Sequence, residues 1–306
     1  MKKSSNKNPE LSIVILSYNT KDLLKDCLES VFALRKEVSF EVIVVDNASC
    51  DGSSEMVKKE FPEVELIQNT QNLGFAAANN KAKGLCVGKY VLFLNSDTTL
   101  PSGTFKSSID YMEQHEGVGV ITCKMKLPGG SLDKDSRRSF PTPWVSFTHL
   151  VLHLDKLLPQ SKLFAKYWYG YISPDTTHEI DVAQGAYFLT RKRVLDEVGW
   201  FDEDYFLDGE DIDLCWRIKD AGWKIIYLPE VWITHIKGAS KGKKKAQGVS
   251  VSLKDKLKFR TAGVTSMEIF YKKRLWDRYP LALNLLVIKG IWPVKGVRVV
   301  KTIVTS

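Results

Sequence analysis

No CxxC pair occurs in this 306-residue chain, and its five cysteines (Cys27, Cys50, Cys86, Cys123 and Cys215) are odd in number. That argues against a disulfide framework or a zinc cluster and points to a reducing cytosol. The polar opening MKKSSNKNPE contains no apolar stretch, so residues 1–10 read as a frayed, disordered leader and not a signal peptide. Internal repeats and low-complexity tracts are absent. The C-terminal apolar run LALNLLVIKGIWPV (281–294) is interrupted by Lys289 and is too short to cross hydrocarbon about 30 Å thick. Glycine is missing from SYNTKDLL, after the first apolar run, where a dinucleotide-binding Rossmann chain needs it for the pyrophosphate to reach the backbone. The same loop lacks the glycines and arginines of a sugar nucleotidyltransferase, and no Walker A run is present. In DNASCDG, Ala48 and Cys50 stand where a calcium loop needs oxygen ligands. Asn47-Ala48-Ser49 spells a glycosylation sequon, read as chance in a chain with no secretory signal.

What is present is the composition of a folded protein, 44% hydrophobic and 26% charged, with length enough for one large domain plus an appendage. A net charge of +8 favours an anionic partner. Much of the excess lies in GASKGKKK (238–245) and onward through Lys273, Arg274 and Arg278, beside the Trp-bearing apolar run. Residues 241–306 are therefore expected to form a basic, amphipathic helical extension. It would lie on an anionic membrane surface as a peripheral, cytoplasmic-face contact, or dock on the core beside a solvated charge run. Nucleic acid is not an expected partner, because the interleaved aromatic and basic platform that binds single strands is missing.

The periodicities alternate. LSIVILSY (11–18) and EVIVVDN (41–47) are unbroken apolar runs rich in β-branched residues, as strands buried on both faces are. Between them TKDLLKDCLESVFAL carries Leu23, Leu24, Cys27, Leu28 and Val31 at helical spacing, with Thr20 as its expected N-cap. SSEMVKKEF reads as a helix, VELIQN as a strand, GFAAANNKAKGLC as a helix and KYVLFLNSD as a strand. Strict alternation predicts an α/β fold built on a parallel sheet with right-handed crossovers, with ligands at the carboxyl ends of its strands. Polar residues sit at those ends: Ser17-Tyr18-Asn19, Asp46-Asn47, Asn69 to Asn72 and Asn95-Ser96-Asp97. Asx residues after strands also serve as turn formers and helix caps, so each alone has a structural reading; four at corresponding ends favour a ligand. Asp97 is available for a hard divalent cation, Mg2+ or Mn2+, which commonly borrows substrate phosphate oxygens as ligands.

Further on, FLDGEDIDLCWRIKDAGWKIIYLPEVWITH (206–235) packs Glu210, Asp211 and Asp213 into one turn and ends at His235. Three clustered acids need a cation, a substrate proton or a helix N-terminus to compensate them. Asp213 and Arg217 stand four apart on the helix that follows and are expected to pair with each other. Residues 131–180, with Arg137, Arg138, Trp144, Trp168 and Tyr169, break the alternation and read as an insertion or lid.

The motifs LSIVILSYN, VIVVDNASCDGS, NLGFAAANN, YVLFLNSD, VAQGAYFLTRKRVLDEVGWFDEDYFLDGEDIDLCWRIKDAGW and VWITHIKGAS occur in this order from about Leu11 to about Ser240. Together they resemble family 2 of the inverting nucleotide-sugar glycosyltransferases, of GT-A fold, and within it the rhamnosyltransferase-like branch. The resemblance implies a domain over 11–240, with its nucleotide-binding half at 11–100 and its acceptor-binding and catalytic half at 101–240. It implies a nucleotide-sugar donor, with dTDP-L-rhamnose first and UDP-sugars next. A saccharide or polyprenyl-diphosphate-linked saccharide would be the acceptor, in cell-surface polysaccharide synthesis. By the same resemblance Ser17 and Tyr18 line the nucleobase pocket, and Asp46 accepts from the imide N–H of uracil or thymine. Asn72 and Gly74 open the loop over the donor, and Gln184-Gly185-Ala186 lies near the sugar. NSD stands at the DXD-type triplet, with Asn95 for the first acid, so Asp97 is left as the metal-binding carboxylate. His235 becomes a metal or diphosphate ligand, and Lys237 and Ser240 could close on the diphosphate. Asp211 is the catalytic base and Glu210 sets its orientation. Trp200, Phe201 and Trp216 could stack on a sugar, although aromatics at such spacing are more often core. Asp202 is expected to fix the loop before the acidic turn.

Overall fold

The structure, a computed structural model, describes residues 8–237 and 253–304. The leader up to residue 7, Ser240 and the lysine cluster at 241–245 lie outside the described residues. The first half alternates as its periodicities require. Strand β1 (Leu11–Ser17) leads to helix α1 (Lys21–Ala33), β2 (Phe40–Asp46), α2 (Ser53–Glu60), β3 (Glu65–Gln68), α3 (Phe75–Asn80) and β4 (Tyr90–Asn95). Strands β3, β2, β1 and β4 lie side by side in that order, all parallel, with Ser17 level with Asp46. Helix α3 is shorter than the apolar pattern of 74–86 implies: after Asn80 the chain continues in turns, which carry Ala82 and Cys86 into the core.

The second half is β5 (Thr98–Thr99), α4 (Thr104–Gln114), β6 (Val118–Lys126), the short helices α5 (Pro143–Ser146) and α6 (Leu154–Leu157), β7 (His178–Glu179), β8 (Tyr187–Arg191), α7 (Lys192–Val198), α8 (Glu210–Asp220) and β9 (Lys224–His235). It extends the same sheet to the order β3-β2-β1-β4-β8-β6-β9-β5, with β7 against β9. β6 and β9 are parallel, whereas β8 enters antiparallel to both β4 and β6. The long irregular segment between β6 and β8 replaces a helical crossover, and nothing then obliges β8 to run with its neighbours.

Both sheet faces are covered. On one, Leu24, Leu28, Phe105 and Ile109 pack on Ile13, Ile15, Val44 and Leu92; on the other, Ala76, Ala78, Leu214 and Ile218 join Val14, Val45 and Phe93. Trp200 and Phe201 belong to this second core, their ring centroids 5.6 and 4.7 Å from that of Phe93, and Trp216 packs on Phe140 at 4.7 Å. None of the three lines the cavity at the strand ends, and their rings are used in packing.

Two further helices, α9 (Leu253–Phe270) and α10 (Leu281–Val304), form a third apolar cluster with the acidic turn, through Tyr205, Val264, Phe270, Tyr271 and Ile288. Charge anchors them too. Asp213 has no exposure; Arg217 Nε donates to its Oδ2 at 2.9 Å, the i,i+4 pair expected, and Arg274 Nε donates to its Oδ1 at 2.6 Å. Arg217 also donates to the carbonyls of Val198, Gly199 and Trp200. Asp202 accepts from the Asp204 N–H and from Lys273, tying the loop before the acidic turn to the same appendage. Removing Asp213 strands two guanidinium groups, so Asp213→Ala is expected to cost roughly 3–5 kcal/mol. Urea denaturation, followed by both far-UV and tryptophan signals, measures it.

Candidate active site

The acidic turn is shaped by glycine. Gly209 sits at φ +146°, and a Cβ there would lie 2.7 Å from Cβ of Ser266, so the turn is pressed against α9. Helix α8 begins immediately, with Glu210, Asp211 and Asp213 in its first turn, where the helix dipole favours negative charge. Glu210 and Asp211 are buried, and both line a cavity of about 380 Å3 at the carboxyl ends of the parallel strands. Its wall also includes Tyr18, Asn72, Gly74, Asn95, Asp97, Gly185 and His235. Residues spread over more than two hundred positions thus meet in one place.

Strand pairing brings Asp97 and His235 together. β5 runs antiparallel to β9, with Thr98 opposite His235, so Asp97 lies next to the imidazole, 3.4 Å from its Oδ1 to Nε2. Both side-chain oxygens of Asp97 are buried and make no hydrogen bond. A buried carboxylate with idle lone pairs fits a hard cation. No group of three or more His, Cys, Asp or Glu side chains able to hold a metal occurs among the described residues. Asp97 and His235 are two protein ligands at most, which suits an ion that completes its shell with waters and substrate phosphates.

Asp133 stands on the other side of the ring. The chain turns back after β6, the Asp133 N–H bonding the Met125 carbonyl, and places its Oδ2 3.1 Å from His235 Nδ1. Lys237 donates to Asp133 Oδ1 at 2.8 Å and pairs with Asp135. Burial alone would lower the His235 pKa, but Asp133 and Asp97 outweigh it and lift it to about 9. Burial would likewise raise Asp133, yet the hydrogen bonds from His235 and Lys237 bring it down to about 2. A carboxylate bonded to Nδ1 sets the ring orientation and increases its basicity.

On the opposite wall, Tyr18 stacks on Phe259 of α9, centroids 6.2 Å apart. Ser17 and Asp46 lie beneath this wall instead of on it. Ser17 is fully buried and shares its hydroxyl hydrogen bond with Thr20. Thr20 occupies the N-cap position of α1 as expected, but its hydroxyl bonds Ser96 and makes no side-chain cap. Asp46 is 3% exposed; its Oδ2 accepts from Ser54 and the Ser49 N–H, while Oδ1 has no partner. Asn47 pins the next loop, donating to Asn72 Oδ1 and accepting from the Leu73 N–H. Gly74 has φ +85°, and a Cβ there would lie 2.3 Å from the Phe206 carbonyl oxygen. The close approach that needs this glycine is thus made by the protein's own backbone. Gly185 is similar, its missing Cβ falling 2.8 Å from the ring of Phe75.

The sequence pattern placed Arg138 only in the 131–180 insertion and missed other members of the site. Arg138, from the irregular segment, places Nη2 2.5 Å from Asp211 Oδ2. Asp133 and Asp135 come from the same segment, while Phe259, Gly263 and Met267 arrive from α9, beyond the recognised motifs. The DKDSRRSF run, dense in charge inside a stretch without periodicity, was the one available signal for the first three.

Residues 12–199 match the family described as Glycosyl transferase family 2. The chain is 27% identical over 244 residues to the N-acetylglucosaminyl-diphospho-decaprenol L-rhamnosyltransferase of Mycobacterium tuberculosis (strain ATCC 25618 / H37Rv), covering 76% of this chain and 78% of that protein. It is 26% identical over 231 residues to the rhamnosyltransferase WbbL of Escherichia coli (strain K12), covering 73% and 82%. Among solved structures, GalNAc-T7 with UDP, GalNAc and Mn2+ aligns at a TM-score of 0.56 and 16% identity over 88% of this chain, which spans about half (49%) of that one. The mannosyltransferase PcManGT from Pyrobaculum calidifontis, in complex with GDP-Man and Mn2+, aligns at 0.52 and 17% identity, covering 98% and 87%. These likenesses bear out the expected GT-A fold. With more than half its length matched by the family, the chain belongs to glycosyl transferase family 2 and is a glycosyltransferase.

Proposed function

We propose that the protein is a metal-dependent inverting glycosyltransferase that moves L-rhamnose from dTDP-L-rhamnose to a saccharide carried on a polyprenyl diphosphate. The carrying observation is that Asp211, Asp97 and His235, separate in sequence, line one cavity. Asp211 takes the proton from the acceptor hydroxyl as that oxygen bonds to the anomeric carbon, and the nucleoside diphosphate departs from the opposite face with the electron pair of its C–O bond. Attack opposite the leaving group inverts the centre. Glu210 orients Asp211. Asp97 and His235 hold Mg2+ or Mn2+, which when bound neutralises charge on the diphosphate. Lys237 adds a cation beside them. Asp46, buried beneath the Tyr18–Phe259 wall with Oδ1 idle, would accept from the base imide N–H once that wall opens, and Tyr18 offers a ring face. Asn72 and Gly74 shape the loop over the donor, Asn95 precedes the metal-binding acid, Ser17 supports the base pocket from below, and Gly185 borders the sugar.

Two observations support the donor and acceptor: the relatives named above are rhamnosyltransferases, and one is named for a diphospho-decaprenol acceptor. An imide N–H is common to thymine and uracil, so UDP-sugars form the second reading. A thermal-shift panel of dTDP, UDP, GDP and NAD, each with and without Mn2+, tests both. Stabilisation by dTDP or UDP only with the metal is the expected result. A shift with GDP or NAD alone, or with no nucleotide at all, would reject the donor assignment.

The acceptor calls for a membrane surface. Among the described residues no helix is long and apolar enough to cross one. Helix α10 contains no acidic residue, carries Lys289, Lys295, Arg298 and Lys301, and exposes Leu286 (66%), Trp292 (58%) and Val297 (67%). A basic, apolar helix of this kind lies in a lipid interface. Co-sedimentation with vesicles containing anionic phospholipid is expected, and Trp292→Glu should weaken it at least several-fold. Equal binding to purely zwitterionic vesicles would contradict the electrostatic part.

A further inference from the structure

Arg138 reaches Asp211 from the segment between β6 and β8. Its backbone is fixed by an exchange of hydrogen bonds with Val182, the Arg138 N–H donating at 3.3 Å and the Val182 N–H at 2.9 Å. The guanidinium and the carboxylate form a buried ion pair, their side chains 13% and 9% exposed, with Nη2 2.5 Å from Oδ2. The other carboxylate oxygen of Asp211 accepts from the Ile212 N–H at 2.8 Å. Both oxygens are therefore engaged before any acceptor arrives. Nε of Arg138 is buried and has no hydrogen-bond partner, so the guanidinium keeps a donor that the protein does not use. Parting this pair without a substitute partner would strand two buried charges, with Asp135 the other carboxylate facing the guanidinium. Water cannot relieve that cost. An anion can, by taking Asp211's place beside the guanidinium and using the idle Nε as well.

We propose that Arg138 makes the site select its acceptor over water: it holds Asp211 until an anionic oxygen of the acceptor, from a sugar phosphate or diphosphate, replaces the carboxylate as its partner. The inference rests on Asp211 being the base. Release leaves the Asp211 carboxylate able to take the proton of the acceptor hydroxyl while the glycosidic C–O bond forms and the nucleoside diphosphate leaves. The equivalent reaction of water, which would hydrolyse the donor, stays suppressed while the pair is closed. The predicted substrate class is thus an acceptor with phosphate close to its reacting sugar, and Arg138 is a specificity residue acting through Asp211.

Arginine-labelled (15N) protein reads the exchange directly, with Arg138→Lys used to assign the Nε resonance. The probe is farnesyl-diphosphate-linked GlcNAc in detergent micelles; free GlcNAc and UDP with Mn2+ serve as controls. The Nε resonance is expected to shift with the diphosphate-linked sugar and with neither control. No shift with that probe, or an equal shift with UDP, would overturn the proposal. Turnover gives the second reading, with Mn2+ and dTDP-rhamnose, UDP-glucose, UDP-galactofuranose or UDP-GlcNAc. Arg138→Met should raise the ratio of donor hydrolysis to transfer about tenfold, as expected from freeing a general base. A fall in both rates at constant ratio would mark Arg138 as purely structural and overturn the selection role. Absence of transfer by the unmodified protein with every donor would instead refute the transferase reading of the site, and the resonance would still decide the role of Arg138.

Discussion

Asp211→Asn is expected to lower transfer by about 10²–10⁴-fold, the range over which a positioned general base acts. The substitution is nearly isosteric and the amide oxygen can still accept from Arg138, but the buried guanidinium loses its counter-charge, so some loss of stability is expected beside the loss of rate. What disappears is the capacity to take a proton. Donor affinity should change little, because Asp211 lies at the start of α8 and not on the wall formed by Tyr18 and Asn72. Initial rates at saturating donor, together with the dTDP-induced melting shift, separate the two effects. A protein that kept its transfer rate would require another base, and the assignment of Asp211 would fall. A protein that lost both rate and nucleotide binding would show a fold defect in place of a chemical one.

Asp97→Asn is expected to abolish the metal-dependent part of nucleotide binding. At a nucleotide concentration of one hundred times Kd, binding to the native state stabilises it by about 2.7 kcal/mol, and that is the gain the variant should lose in the presence of Mn2+. Transfer should fall with it by about 10²-fold or more, since stabilisation of a developing leaving-group charge is worth several kcal/mol. The physical reason is the state of the carboxylate: both oxygens are buried and outside any hydrogen bond, with the His235 ring 3.4 Å away as the charged group beside them, so lone pairs remain for a metal ion. EDTA should reproduce the nucleotide-binding defect in the parent protein. Full Mn2+-dependent stabilisation by dTDP or UDP in Asp97→Asn would place the ion elsewhere.

The first half of the chain was legible because its main strands are buried on both faces. Such strands appear as unbroken apolar runs, and the helices between them as a 3.6-residue period, so β1, α1, β2 and β4 could be drawn from one line of text. Parallel neighbours then put every polar strand end on the same edge of the sheet, which is why Tyr18, Asn72 and Asp97 could be grouped before any coordinates. Local rules did less well where a side chain had a distant competitor. Thr20 precedes a helix and has a capping side chain, yet Ser96, seventy-six positions away, takes its hydroxyl. Trp200, Phe201 and Trp216 sit beside the acidic turn in sequence but point into packed rings.

By itself the sequence determined the alternating α/β architecture, the strand-end location of the site and the family, since these follow from periodic burial and from contiguous motifs. It also determined the i,i+4 pairing of Asp213 with Arg217, because helix geometry alone brings those positions together. Only the tertiary structure decided that Arg138 meets Asp211, that Asp133 backs His235, and that α9 supplies Phe259 opposite Tyr18. Those contacts join segments separated by irregular chain or by residues outside the described structure, and no local period encodes them. Such pairings are set by which surfaces remain to be buried once the sheet has formed and by which buried charges then need partners.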